Sequence, residues 1–212
     1  ARMSSIAAKA GVNQALLHYH FESKENLYQN IFHMGLGDDI QNISDRVRQE
    51  IKSWNVSAEK ELAAMIYLIV TGHIKTHDDD LNRIIAREIA DGQKYFQDFA
   101  RIYMLPRISI IEEFIKHGIR LGIFEISNPL LFSLSLVTFV ADYVHGEEVI
   151  KDTRWHRELY RDKEKTLYNH LIETSFKALS PAGKTITPPV LSKKEIEILD
   201  GFVSEILELY QI

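Results

Sequence analysis

Apolar residues recur at helical spacing along nearly the whole chain. A short Ala-rich segment, Ser4 to Ala10, stops at Gly11, and a second, Gln14 to Phe21, follows an Asn13 suited to an N-cap. Ser23 caps a longer segment whose stripe runs through Leu27, Ile31, Met34 and Leu36. Gly35 and Gly37 predict a bend in it, after which Ile40, Ile43, Val47 and Ile51 continue the stripe. Trp54 to Ser57 is a break, and Ser57 opens an apolar helix through Leu62, Met65, Ile66, Ile69 and Val70. His77 to Asp80 reads as a break and an acidic helix start, followed by Leu81, Ile84, Ile85 and Ile89 as far as Gly92. Phe96 to Leu121 predicts a long helix that Pro106 kinks or restarts, with Gly118 and Gly122 marking its end. Asn128 and Pro129 open a helix to about His145 that is apolar on nearly every side and so must be covered all round. Asp162 to Leu179 is a further helix, Ser180 to Ser192 a linker, and Ser192 caps a final amphipathic helix. No hairpin chemistry, repeat or low-complexity tract is present.

The predicted fold is therefore all-α. Residues 1–33 form a helix-turn-helix unit with the start of a connecting helix, and 34–179 form a helical body. The linker 180–192 and an additional C-terminal helix, 193–212, complete the chain.

With 212 residues the chain can bury a sizeable core. The richest apolar stretch, Pro129 to Val144, is interrupted by Ser133, Ser135, Thr138 and Asp142, so it reads as a buried helix rather than a membrane span. No signal-peptide pattern and no cysteine occur, which excludes disulfide and thiolate chemistry and fits a reducing, cytoplasmic setting. The net charge of −5 argues against a surface coated for nucleic acid, yet the first 33 residues are slightly positive, with Arg2, Lys9 and Lys24 against Glu22 and Glu25. A DNA reader needs positive charge only on the face that meets phosphates.

The informative segment is Met3 to Lys24, MSSIAAKAGVNQALLHYHFESK. Ala7 is small enough to let a second helix cross close by, Gly11 accepts the left-handed turn, and Leu17 points back into a shared core. Ile6, Ala10, Val12 and Phe21 are expected to complete that core. This spacing is that of a DNA-binding helix-turn-helix. The run IAAKAGVNQALLHYHFESKENLY resembles the DNA-binding signature of the TetR family, most strongly at Ile6-Ala7, Ala10-Gly11-Val12, Leu17, Tyr19-His20-Phe21, Ser23-Lys24-Glu25 and Leu27-Tyr28. The runs HDDDLNRIIAREI and HGIRLGIFEISNPLLFSLSLV resemble the family's body more loosely.

The resemblance implies that the second helix of the motif enters the major groove of operator DNA. Gln14 would pair with an adenine edge or a phosphate, and Ala15 and Leu16 would meet a thymine methyl. His18 and Tyr19 would contact phosphates, His20 matches the family's usual His or Tyr, and Lys24 would face a phosphate at a helix start. Ser4 and Ser5 would donate to the DNA backbone. Two departures stand out. Arg2 occupies a usual Thr position, where it cannot cap but can bind phosphate, and Leu16 replaces a small or hydroxyl residue. The resemblance also implies a further helix ahead of residue 1, covering Ile6 and Phe21. It implies a homodimer, joined through the helices 129–145 and 162–179, and a small-molecule effector, with DNA binding that represses transcription.

Aromatic residues crowd the middle of the chain, where core packing is the ordinary role of each. An aromatic-lined cavity between helices is also a normal ligand site, and Tyr67, Phe99, Tyr103, Phe139 and Tyr143 are its candidates. His73 and His77 lie four apart before Asp78, Asp79 and Asp80, a spacing that can hold a metal but reads better as a solvated helix end with an acidic cap. His18 and His20 face different ways and do not share a metal. No metal site, cofactor, catalytic residue or membrane partner is expected. A metal-dependent helical enzyme is a weaker reading, since nucleophile elbow, Gly-rich phosphate loop and HExxH are all missing. A regulator controlled by a protein partner and a helical adaptor without DNA binding also fit an all-helical chain.

Overall fold

The structure, a computed structural model, describes residues 1–33, 36–76, 79–92 and 95–210. Every regular element among them is helical. Three short helices come first: α1 (Met3–Ala10), α2 (Gln14–Phe21) and α3 (Lys24–His33). Gly11 ends α1 with φ +68°, and the Val12 amide reaches back to the Ala7 carbonyl at 3.0 Å. The Asn13 side chain then accepts from the Ala15 amide at 2.8 Å, so one turn closes one helix and caps the next. Met3, Ala7 and Leu17 form a small buried cluster, flanked by Ile6, Phe21 and Leu27. Ala10 and Val12, expected in this core, are exposed: Ala10 is the last residue of α1, and the left-handed Gly11 turns Val12 outward.

The body contains α4 (Leu36–Ser53), α5 (Ala58–Lys75) and α6 (Asp79–Ala90). After α6 come α7 (Phe96–Phe99), a π-helical turn over Ala100–Met104 and α8 (Leu105–Arg120). The predicted long helix is thus restarted at Pro106, which sits in the first turn of α8. Proline has no N–H to give to the carbonyl four residues back, and the π turn absorbs that missing bond. Next come α9 (Pro129–Gly146), a 3₁₀ turn (Glu148–Ile150), α10 (Arg154–Tyr160), α11 (Lys163–Leu179) and α12 (Lys193–Tyr210). The α9 start is capped by Asn128, which accepts from the Leu131 amide at 2.9 Å.

The helix covered on all sides is α5, which packs against α4, α8, α9, α11 and α12. Its Leu62, Ala63, Ala64, Ile66 and Val70 are fully buried, and the two alanines let neighbours approach closely. By contrast α9, expected to be covered all round, leaves Leu130, Leu131, Leu134 and Phe139 exposed in the single chain. By length and composition α9 is also apolar enough to cross a membrane, with mean hydropathy 1.3. Its Ser133, Leu136, Val137, Val140 and Val144 nonetheless form an inward face.

Residues 180–192 are irregular and are pinned to the body. Leu191 is buried, and the Ile186 amide donates to Ser180 Oγ at 3.0 Å. Ser192 and Glu195 form a reciprocal cap: the Ser192 amide donates to the carboxylate at 2.6 Å and the Glu195 amide to Ser192 Oγ at 3.3 Å. This launches α12 along α5 and α4, where Leu199 and Val203 are buried. The last helix is therefore part of the body core rather than an appendage.

Candidate nucleic-acid interface and ligand cavities

Burial of Leu17 fixes the rotation of α2. With Leu17 turned inward, Gln14, Ala15, Leu16, His18, Tyr19 and His20 are all exposed. Tyr19 is 81% and Leu16 49% accessible, which leaves a large apolar and aromatic surface outside any core. Two contacts order this face. His18 Nδ1 lies 3.1 Å from the Glu22 carbonyl, and Gln14 Nε2 lies 3.3 Å from His18 Nε2. A single tautomer satisfies both: Nδ1–H donates to the carbonyl and Nε2 accepts from the amide. Tyr19 and His20 meet edge to face at 5.3 Å.

Lys24 is exposed at the first position of α3, whose start is capped by Ser23 Oγ accepting from the Asn26 amide at 3.0 Å. Arg2, Ser4 and Ser5 are exposed at the start of α1. Arg2 occupies the N-cap and makes no side-chain cap bond there, which leaves its guanidinium outside the helix. Glu22 closes α2 with φ +58° and ψ −49°, a tight turn in which the Ser23 amide reaches the Phe21 carbonyl. All ten sequence-predicted interface residues thus lie on exposed positions of the first three helices.

Cavities open in the body, and two are formed by described residues. The larger, about 480 Å³, lies between α5, α11 and the 188–191 segment. Tyr67, one of the five aromatic candidates, lines it, and so does Tyr168, which sequence reasoning misses. Their rings meet edge to face at 5.8 Å, and Tyr67 Oη donates to Asp200 at 2.9 Å. Burial and the Asp200 carboxylate push the Tyr67 phenol up to about 12, and burial alone does the same for Tyr168.

The smaller cavity, about 90 Å³, lies where α4, α5, α8, α9 and α12 converge. Its wall is apolar apart from Ser44, Thr76, His73 and Arg107. His73 Nδ1 meets the Ile69 carbonyl at 2.9 Å. Burial pushes the His73 imidazole down to about 4, and the positive charges of Arg107 and His145 add to the effect. Arg107 is a second residue that sequence reasoning misses, although a lone cation before the apolar run Ile108, Ile110 and Ile111 is a signal.

Phe139 and Tyr143, expected in the pocket, line neither cavity. Phe139 is exposed and packs on His170 at 5.8 Å. Tyr143 stacks on Tyr160 at 4.5 Å and donates to the Leu159 carbonyl, which ties α9 to α10. Phe139 thus lies on the exposed side of α9, whereas Tyr143 is partly buried against the core but outside both cavities. The side chains of Phe99 and Tyr103 lie outside the described residues, as does His77 of the candidate metal pair. Among the described residues no group of three or more His, Asp or Glu is placed to hold a metal ion.

Residues 1–31 match the family profile described as bacterial regulatory proteins, tetR family. No curated protein and no solved structure matches the chain significantly. The match spans the three N-terminal helices and not the body, so it suggests membership in that regulatory family on the evidence of one part. Short helices over 1–31 in front of a larger helical bundle are consistent with a TetR-like two-domain arrangement.

Proposed function

We propose that the chain is a one-component transcriptional regulator of the TetR type, a ligand-responsive repressor that binds a palindromic operator as a homodimer. The observation that carries the reading is the exposed Gln14–Tyr19 face of α2, held outward by the buried Leu17 within the stretch that matches the family profile. Such a face has no use inside a folded monomer, and its size and residue types suit a major groove. Gln14 reads a base edge, Ala15 and Leu16 meet a thymine methyl, and Arg2, Ser4, Ser5, His18, Tyr19, His20 and Lys24 hold the phosphates. No catalytic role is assigned to any residue, and the reading is of a cytoplasmic protein.

Two copies associate through α9 and α11. The exposed Leu131 and Leu134 of α9 supply the apolar area, and Phe139 against His170 joins the two helices into one face. Successive major grooves lie about 34–36 Å apart, so the dimer must hold its two α2 helices near that span. A ligand in the body favours a state with a different span, and operator affinity falls by the ligand's differential affinity for the two states and no more. The α4 helix, which leads from the N-terminal helices into the body, is the lever.

The test is selection of operator sequences from random duplexes by the full chain. A palindromic consensus is expected. Gln14→Ala should change the selected sequence, while Lys24→Ala should weaken binding to every duplex and lower the salt slope by about one. Binding no tighter than to random duplex, or selection unchanged by Gln14→Ala, would sink the reading.

A further inference from the structure

We propose that the cavity between α4, α5, α8 and α12 binds a small organic monoanion, a short-chain carboxylate, with its head on the Arg107 guanidinium. The inference rests on the regulator reading and names the effector class of that body. Arg107 is the observation. It is partly buried on the cavity wall, and no carboxylate among the described residues lines the cavity or pairs with it. The cations of α4 behave differently: Arg46 pairs with Glu205, and Arg48 and Lys52 pair with Glu113. An arginine on the wall of a largely apolar space, with no counter-charge among the described residues, has donors to offer a ligand, and its guanidinium matches a carboxylate two-pronged.

The remainder of the wall sets the size and character of the tail. Val47, Met65, Ile110 and Val203 face the space from four different helices, so the body of the ligand is hydrocarbon. A cavity of about 90 Å³ is roughly a third of the smallest drug-sized sites, which limits the tail to a few carbons. Arg107 excludes a cation. Burial first, and then the Arg107 charge, hold the His73 imidazole in its neutral form, and a further positive charge in the same space would be repelled by the guanidinium. Neutral His73 spends Nδ1 on the Ile69 carbonyl, which leaves Nε2 as its remaining ring nitrogen on the cavity wall it helps to form. The site touches α4 at Val47 and α12 at Val203, so its filling bears directly on the lever helix.

The experiment titrates the full chain with sodium salts of straight-chain carboxylates from acetate to octanoate. Sodium chloride, 1-butanol and butylammonium chloride at equal concentration serve as controls, and binding is read by calorimetry. Saturable binding is expected, strongest near butanoate, with neither butanol nor butylammonium competing. Arg107→Gln should weaken butanoate at least tenfold, and Arg107→Lys should recover part of the loss. In the wild-type chain the His73 ring resonances should move with butanoate and stay still with butanol, a readout that needs no variant to fold. The assignment is overturned if no carboxylate binds, if butanol binds as tightly, or if a folded Arg107→Gln chain binds butanoate like the wild type. Operator binding without ligand is measured in parallel. Its absence alongside carboxylate binding sinks the regulator reading and not the site, and the reverse sinks the site alone.

Discussion

Phe124 folds back beneath Gly118, its ring resting where any other residue would carry a Cβ. A methyl group built on Gly118 would stand 2.8 Å from the ring's Cγ and closer still to its edge. Phe124 is buried and meets Phe176 edge to face at 6.1 Å, so the ring has nowhere to retreat. The chain reaches this position through Gly122, with φ +69°, while the Ile123 amide returns to the Gly118 carbonyl at 2.9 Å. Gly118→Ala should therefore lower stability by about 1–3 kcal/mol, the usual range for overpacking. Urea denaturation of the two chains measures it; equal midpoints would show that the ring moves aside freely.

On α2, His18 stands between Gln14 and the Glu22 carbonyl, so it aims the Gln14 amide in addition to the phosphate contact proposed for it. If it positions Gln14, the two residues act on sequence preference together. His18→Ala should then relax base preference at the same operator position as Gln14→Ala, and the double variant should lose less than the two single losses added. Affinities of the four proteins for matched and single-mismatch duplexes provide the cycle. Additive losses that are uniform across duplexes would reduce His18 to a phosphate contact.

Much of the candidate interface is legible in the sequence because three small facts determine which α2 side chains are exposed. Ala7, Gly11 and Leu17 set the crossing, the turn and the rotation of α2, and the remaining α2 side chains then face outward by geometry. Helix starts are equally legible where a cap stands before an apolar run, as at Ser57, Asn128 and Ser192. Other features depend on tertiary contacts that no local pattern encodes. Composition marks α9 for full coverage, yet α5 holds that place because Ala63 and Ala64 admit neighbours on every side. The aromatics of α9 are as conspicuous in sequence as Tyr67, and only packing tells that Phe139 and Tyr143 line neither cavity. The short helix α10 escapes a sequence pattern because its seven residues, RWHRELY, are too few for a periodic stripe; its sole cue is Thr153, whose Oγ1 accepts from the His156 amide at 3.3 Å. Gly118 is readable as a helix end, but its partner Phe124 is not.

His73 gives the body an acid-side weakness. Its imidazole is held neutral down to about 4 in the folded chain, against an ordinary 6.5. A base whose folded value is depressed takes up its proton first in the unfolded chain. Above about pH 6.5 neither state is protonated and His73 makes no difference. As pH falls from there toward about 4 the unfolded chain gains protons alone, and stability drops, by up to roughly 3 kcal/mol at full effect. Below the folded value the loss levels off. Urea midpoints between pH 7 and pH 4 should fall in the wild type more than in His73→Gln, and parallel curves would mean that the ring is solvated.

The last helix ties the lever to the core. Arg46 of α4 reaches Glu205 of α12 at 2.5 Å and lies over the Phe202 ring at 5.5 Å. On its other side α12 receives Lys60 on Glu195 at 2.8 Å and Tyr67 on Asp200 at 2.9 Å, both from α5. These polar contacts are partly exposed and contribute little singly. The buried Leu199 and Val203 hold the helix in place. Leu199→Ala should accordingly destabilise the body by about 2–5 kcal/mol, as cavity-forming substitutions in a core do. Arg46→Ala should change the global midpoint by less than about 1 kcal/mol while raising amide exchange along α4 near Val47. Hydrogen exchange resolves the two effects by segment. If Leu199→Ala left the midpoint of the body in place, α12 would be a detachable tail, and its grip on α4 could not transmit anything from the cavity they share.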